Sequence, residues 1–286
     1  MVDFDSLFPD NREEGETPIR QCQLVMLRMF KIFDYLCLKH DIKYFLTGGS
    51  LLGAIRHQGF IPWDDDLDVG MTRDNYERFV KMIVPELPND IFFQSAETDP
   101  MYPSARIVEA KLRDKYSTYG ASAEFKKKYK WHQGIMIDVN VYDRAYLPHN
   151  VFLYALNRAL EVMFWKVGPN NTNSQKRARV LKFIAKYSPI PLVWASGFVI
   201  KPKLIKIGQC YKRNKEIKEL LRVKFEDAEA YIPIGWHTYL KRMYGDYMKL
   251  PPVEKQTGHH GSADPFTPCN HTEILYWKDR KVSVVD

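Results

Sequence analysis

Four carboxylates stand within five residues in Asp64-Asp65-Asp66-Leu67-Asp68, and Leu67 and Val69 supply an apolar alternation beside them. On an extended chain, residues two apart share a face, so Asp64, Asp66 and Asp68 point one way while Leu67 and Val69 point into a core. A ridge of like charges is costly unless a cation holds it together. A site made only of carboxylate oxygens, with no Cys or His beside it, selects a hard ion, Mg²⁺ or Mn²⁺, over zinc. A solvated acidic turn is the plainer alternative, and the apolar residues that follow at once disfavour it.

A further Asp lies in the segment Gly134-Ile-Met-Ile-Asp-Val-Asn-Val-Tyr142, where Ile135, Ile137, Val139 and Val141 alternate with Met136, Asp138 and Asn140. An Asp in the middle of such a strand needs a partner. Asp66, Asp68 and Asp138 converging as catalytic metal ligands meet that need better than an isolated structural Asp. Such a set suits phosphoryl or nucleotidyl transfer, where two cations about 4 Å apart activate the attacking hydroxyl and neutralise the leaving phosphate.

Upstream, Gly48-Gly49-Ser50 follows an apolar stretch and opens a helical one. Glycines allow close backbone approach, and a helix start offers unpaired N–H groups, so the trio reads as a phosphate cradle; alone, it would pass for an ordinary turn. Arg56 and His57 follow on the same helix, with Arg56 the better phosphate contact. Arg113 and Lys115 are two apart and would share a strand face able to hold a diphosphate, or a merely solvated one. His259-His260 lack metalloprotease spacing, so they suit phosphate binding or proton transfer, or plain surface.

The segment Phe45 to Met71, FLTGGSLLGAIRHQGFIPWDDDLDVGM, resembles the signature of the LicD family, the phosphorylcholine transferases that decorate bacterial surface glycans. That family sits with the nucleotidyltransferase-fold superfamily, whose hallmark of Gly-Ser, then Asp-x-Asp, then a later Asp falls here on Gly49-Ser50, on Asp66-Leu67-Asp68 and on Asp138. The stretch Tyr239 to His260, YLKRMYGDYMKLPPVEKQTGHH, is similar to the family's ending, which lends His259 and His260 a role. The resemblance implies a CDP-alcohol donor, CDP-choline foremost. It also implies a Mg²⁺ or Mn²⁺ cofactor and a cell-surface glycan or its lipid-linked precursor as acceptor. Relatives move phosphocholine, phosphoribitol and other substituted phosphates. A nucleotidyltransferase that transfers the nucleotide itself would use the same carboxylates, and a non-catalytic glycan-binding protein would have no need of them.

The elements that must position these residues follow from periodicity. Pro18 opens a helix through about His40, with Leu24, Leu27, Ile32, Phe33 and Leu36 at helical spacing. Strands are expected at Lys43–Thr47 and Asp66–Met71, within Ile91–Ser95 and Ala105–Tyr119, and at Gly134–Tyr142. Helices are expected at Ser50–His57 and from Thr72 to about Val84. Residues 1–17 read as a loose arm. From Pro148 to about Leu221 the chain turns basic and helical, and its run Gln-Lys-Arg-Ala-Arg-Val-Leu-Lys-Phe-Ile-Ala-Lys suggests contact with an anionic membrane. The expected fold class is mixed α/β (α+β): a nucleotidyltransferase-like core with a small mixed sheet at 1–147, a helical module at 148–235, and a segment at 236–286 returning to the active site.

The 286 residues, 45% hydrophobic and 27% charged, exclude a disordered chain. A net charge of +7 and a pI near 9.0 point to anionic partners. No nucleic-acid recognition motif accompanies that charge. Cys22, Cys37, Cys210 and Cys269 form no C-x-x-C pair and read as free thiols. No signal peptide is apparent and Ile190–Ile200 is too short to span a bilayer, so a cytoplasmic protein, peripheral at the inner membrane face, is expected.

Overall fold

The computed structural model describes residues 2–102, 108–120, 131–145, 193–196, 212–258 and 263–269, with the backbone alone at 143–145 and 193–196. His259, His260, Cys210, the basic run at 175–186 and most of the stretch from 148 to 221 lie outside the described residues.

The long amphipathic helix forms as its spacing demands. Helix α2 (Pro18–Lys39) follows the short α1 (Phe4–Leu7). Thr17 caps it through Oγ1, which accepts from the Arg20 N–H at 3.3 Å, and Pro18 occupies the first turn, where a missing N–H costs nothing. Its inward face buries Val25, Met26, Met29, Phe30, Ile32, Phe33 and Leu36 almost completely. Each such side chain contributes about 2 kcal/mol of transfer free energy.

That helix underlies a mixed sheet built on strands β1 (Phe45–Leu46), β2 (Asp68–Thr72), β3 (Ile91–Gln94), β4 (Ala110–Asp114) and β6 (Met136–Ala145), in the order β1-β2-β6-β4-β3. Only β2 and β6 run parallel; the other neighbours are antiparallel. Strand β7 (Val193–Ser196) pairs with β6, and β8 (Lys212–Arg213) pairs with β7. Helix α3 (Gly48–His57) links β1 to the loop before β2, and α4 (Arg73–Met82) follows β2. The mixed α/β class expected from the sequence is the one observed. The strand expected from Asp66 begins at Asp68, and that expected from Gly134 runs from Met136 to Ala145.

Register divides the sheet into a dry face and a polar one. Val69, Val139 and Ala110 are partners across β2, β6 and β4 and all are fully buried. One residue earlier along β2 and β6, the partners are Asp68, Asp138 and Lys111, with Gln94 next on β3. Because side chains alternate along a strand, this polar row lies on the opposite face from the valines.

The expected loose arm is overturned. Phe4 is buried, and Arg12 is 1% exposed. The Arg12 guanidinium donates to Asp114 at 2.9 Å, to Asp10 at 2.7 Å and to the Pro265 carbonyl. Its partners fix the arm to the end of β4 and to the short pairing of β5 (Thr118–Tyr119) with β11 (Ala263–Asp264). Within 148–235, the described residues after β8 form helix α5 (Asn214–Ile217) and an antiparallel hairpin of β9 (Leu220–Phe225) with β10 (Ala228–Pro233). Helix α6 (Trp236–Tyr244) follows. Cys22 and Cys37 are free and buried, Cys269 is buried with its Sγ accepting the Gln133 N–H at 3.3 Å, and burial first, then Asp65, pushes the Cys22 thiol up to about 12.

Candidate active site

Helix α3, the polar row of the sheet, α6 and the segment after α6 enclose a cavity of about 1020 Å³. Its wall includes Gly48, Gly49, Arg56, Asp64, Asp66, Asp68, Lys111, Arg113 and Asp138. Asp65 is absent from that wall; it is buried toward Tyr119 and Gly258. The alternation expected along the acidic run therefore holds, although its first members precede the strand proper.

Local chemistry explains how the carboxylates are held. Gly48 takes a left-handed φ of 58°, and a Cβ there would lie 2.8 Å from Asp68 Oδ2. A Cβ on Gly49 would lie 2.8 Å from Asp64 Oδ2. The glycine pair thus makes room for the acidic ridge as well as opening the start of α3 to a ligand. Ser50 is buried, and its Oγ accepts the Asp68 N–H at 2.7 Å, so this side chain braces the strand. From below, Gln23 of α2 donates to the carbonyls of Ile61 at 3.1 Å and Asp64 at 3.0 Å. Glu226, in the turn of the β9–β10 hairpin, accepts the Phe60 N–H at 2.9 Å and pairs with Arg20 at 2.8 Å.

The electrostatics are those of a crowded acidic pocket. Burial first, then the charges of Asp66 and Asp138, push the Asp68 carboxyl well above the usual carboxylate range, against a 2.8 Å bond from Asn140 Nδ2. Lys111, 3% exposed, forms an ion pair with Asp138. Arg113, equally buried, donates to Gln94 at 2.7 Å and to the Gly134 carbonyl at 2.6 Å. Arg56 reaches the Tyr247 carbonyl at 3.0 Å.

No three His, Cys, Asp or Glu side chains among the described residues already form a coordination shell. The donor chemistry still fits a divalent cation. Asp66, Asp68 and Asp138 offer only oxygen, they face one cavity, and burial together with the charges of Asp66 and Asp138 raises Asp68, a load that a cation would relieve. What stands against immediate coordination is Lys111, already on Asp138.

Sequence reasoning paired Arg113 with Lys115. The structure pairs it on the cavity wall with Lys111, whereas Lys115 falls in the turn beyond β4. The signal was available, since Lys111 is also two residues from Arg113. His57 lies against Trp63, ring centroids 6.2 Å apart, and is not on the cavity wall. A cluster at the start of α3 was missed altogether. Thr47 Oγ1 lies 3.0 Å from the Tyr142 hydroxyl and 3.2 Å from that of Tyr239, and it accepts from Lys212 Nζ at 3.1 Å. Lys212 is fully buried over the rings of Tyr239, Tyr142 and Phe45. Tyr239, Tyr244 and Tyr247 bring the segment after β10 back to the cavity.

Residues 41–235, which contain all three carboxylates, match the family model described as LicD/FKTN/FKRP, nucleotidyltransferase domain. The chain is 33% identical over 267 residues to the lipopolysaccharide cholinephosphotransferase LicD of Haemophilus influenzae, covering 85% of this chain and 96% of that one. It is 43% identical over 63 residues to an uncharacterized protein of Rickettsia prowazekii, 22% of this chain and 23% of the relative. Over 30 residues it is 60% identical to the ribitol 5-phosphate transferase FKRP of mouse and human, 10% of this chain and 6% of those relatives.

Proposed function

The chain belongs to the LicD family, and on that footing we propose that it transfers a substituted phosphate, phosphocholine from CDP-choline foremost, onto a sugar hydroxyl of a cell-surface glycan or its lipid-linked precursor. The observation that carries the reading is the polar row Asp68–Asp138–Lys111, set with Asp66, Arg113 and the glycine pair around one cavity. Near full-length similarity to a lipopolysaccharide cholinephosphotransferase supports the choline head group and a lipopolysaccharide-like acceptor.

In this reading the acceptor oxygen bonds to the phosphorus that bears the alcohol. The P–O bond to CMP breaks, and CMP leaves with the electron pair. Asp138 takes the proton of the attacking hydroxyl. Arg113 and Lys111 set positive charge beside the phosphates, and the open start of α3 at Gly48 and Gly49 receives a phosphate oxygen. Arg56 and Ser50 hold the walls of that subsite, and His259 and His260 assist from outside the described residues. A Mg²⁺ or Mn²⁺ ion held by Asp66, Asp68 and Asp138 would neutralise the donor diphosphate. The protein works in the cytoplasm, peripherally at the inner membrane face. Among the described residues no helix is long and apolar enough to cross a membrane.

The family model's own description favours one competing reaction, transfer of the nucleotide itself. Incubation with CDP-choline, CDP-ribitol and other CDP-alcohols in the presence of Mg²⁺ tests both. Release of free CMP that stops on exhaustive chelation is expected. Turnover undiminished by chelation would remove the cation, and a nucleotidylated acceptor would replace the reaction.

A further inference from the structure

Lys111 does more than line the cavity. Its ammonium is buried within a sheet row whose register makes it the cross-strand neighbour of Asp138, itself the neighbour of Asp68. It is ion-paired with the one carboxylate of the three that comes from β6. A buried carboxylate without a counter-charge is strongly unfavourable, and so is a buried ammonium. Asp66 and Asp68 face the same cavity as this pair, so a cation entering there meets Asp138 already engaged by Lys111.

We propose that Lys111 is the resident counter-ion of this site, holding Asp138 in the cation-free protein and surrendering it when a divalent cation enters. Cation binding is thereby an exchange of counter-ions. The released ammonium stays on the cavity wall, two residues from Arg113 and facing the same way. The exchange leaves Asp138 with a counter-charge in both states, and it makes part of the cation's binding energy the cost of displacing Lys111. The inference rests on reading Asp66, Asp68 and Asp138 as the cation site.

The test is titration of the whole chain with Mn²⁺ alone, following free Mn²⁺ by electron paramagnetic resonance, with thermal unfolding measured with and without the ion. In Lys111→Met no ammonium pairs with Asp138. Mn²⁺ is expected to bind roughly tenfold or more tightly than in wild type. The metal-free Tm falls and added Mn²⁺ restores it. Lys111→Arg retains a charge and should bind Mn²⁺ near the wild-type affinity. Lys111→Gln, which still donates a hydrogen bond, replaces the Met variant if that one does not fold. A merely structural lysine would lower stability without tightening Mn²⁺. If wild type binds Mn²⁺ and the uncharged variants bind it no tighter, the exchange is wrong while the cation site stands. If neither wild type nor variant binds Mn²⁺, the site reading falls and the exchange with it.

Discussion

At the scale of single residues, the carboxylates differ in what surrounds them. Asp68 is braced by Ser50 through its backbone N–H and by Asn140 through its side chain, and Asp138 by Lys111. Asp65, one position away, is buried toward Tyr119 and is not itself on the cavity wall. Replacing Asp68 or Asp138 by Asn keeps shape and an acceptor oxygen but removes charge. Each change is expected to lower kcat about a hundredfold or more, with KM moving less, while far-ultraviolet circular dichroism stays as in wild type. Asp65→Asn should keep much of its activity. Should Asp65→Asn prove dead and Asp68→Asn active, the assignment would be out of phase by one residue.

At the scale of elements, the site depends on parts that never touch a ligand. Gln23 ties the Ile61–Asp64 loop to α2, with both bonds buried. Gln23→Leu removes both side-chain bonds to the loop, although the Ile61 carbonyl keeps the Asp64 N–H at 2.9 Å. A stability loss of about 1–3 kcal/mol in urea unfolding is expected, together with a fall in activity per folded molecule because Asp64 loses its anchor. Unfolding at lower urea with unchanged activity of the folded fraction would show that the loop holds its place without α2. The sequence made α2, α3 and the acidic strand legible because helical and twofold spacings are local signals. It concealed others. Arg12 acquires its role from Asp114, which is 102 positions along the chain. The β9–β10 hairpin follows a basic helical-looking run, and its alternation of Leu221, Val223 and Phe225 with Arg222 and Lys224 was lost against that background. Which of Lys111 and Lys115 joins Arg113 depends on where β4 ends, and it ends at Asp114, whose side chain pairs with the distant Arg12.

At the scale of the whole molecule, the candidate site's cavity lies beside a surface of mixed character. Met248, Leu250 and Val253 are 55%, 52% and 79% exposed, next to Lys249 and Lys255, and this segment supplies part of the cavity wall. Apolar side chains among lysines suit the headgroup region of an anionic bilayer, which is where a lipid-linked acceptor would be met. Co-sedimentation with phosphatidylglycerol vesicles at low salt is expected, weakening as salt rises and weakening further when these three residues are changed to Asp. Equal recovery with neutral vesicles would remove the anionic charge from the account, and no recovery at all would remove the membrane.

The central claim is that the alcohol phosphate moves and the nucleotide leaves. The most direct measurement uses CDP-choline labelled separately in choline and in cytidine, with a lipopolysaccharide acceptor and Mg²⁺. The choline label should pass to the glycan while the cytidine label appears as CMP in equal amount. Cytidine label on the glycan, or no transfer of choline label from any CDP-alcohol while the protein remains folded, would contradict it.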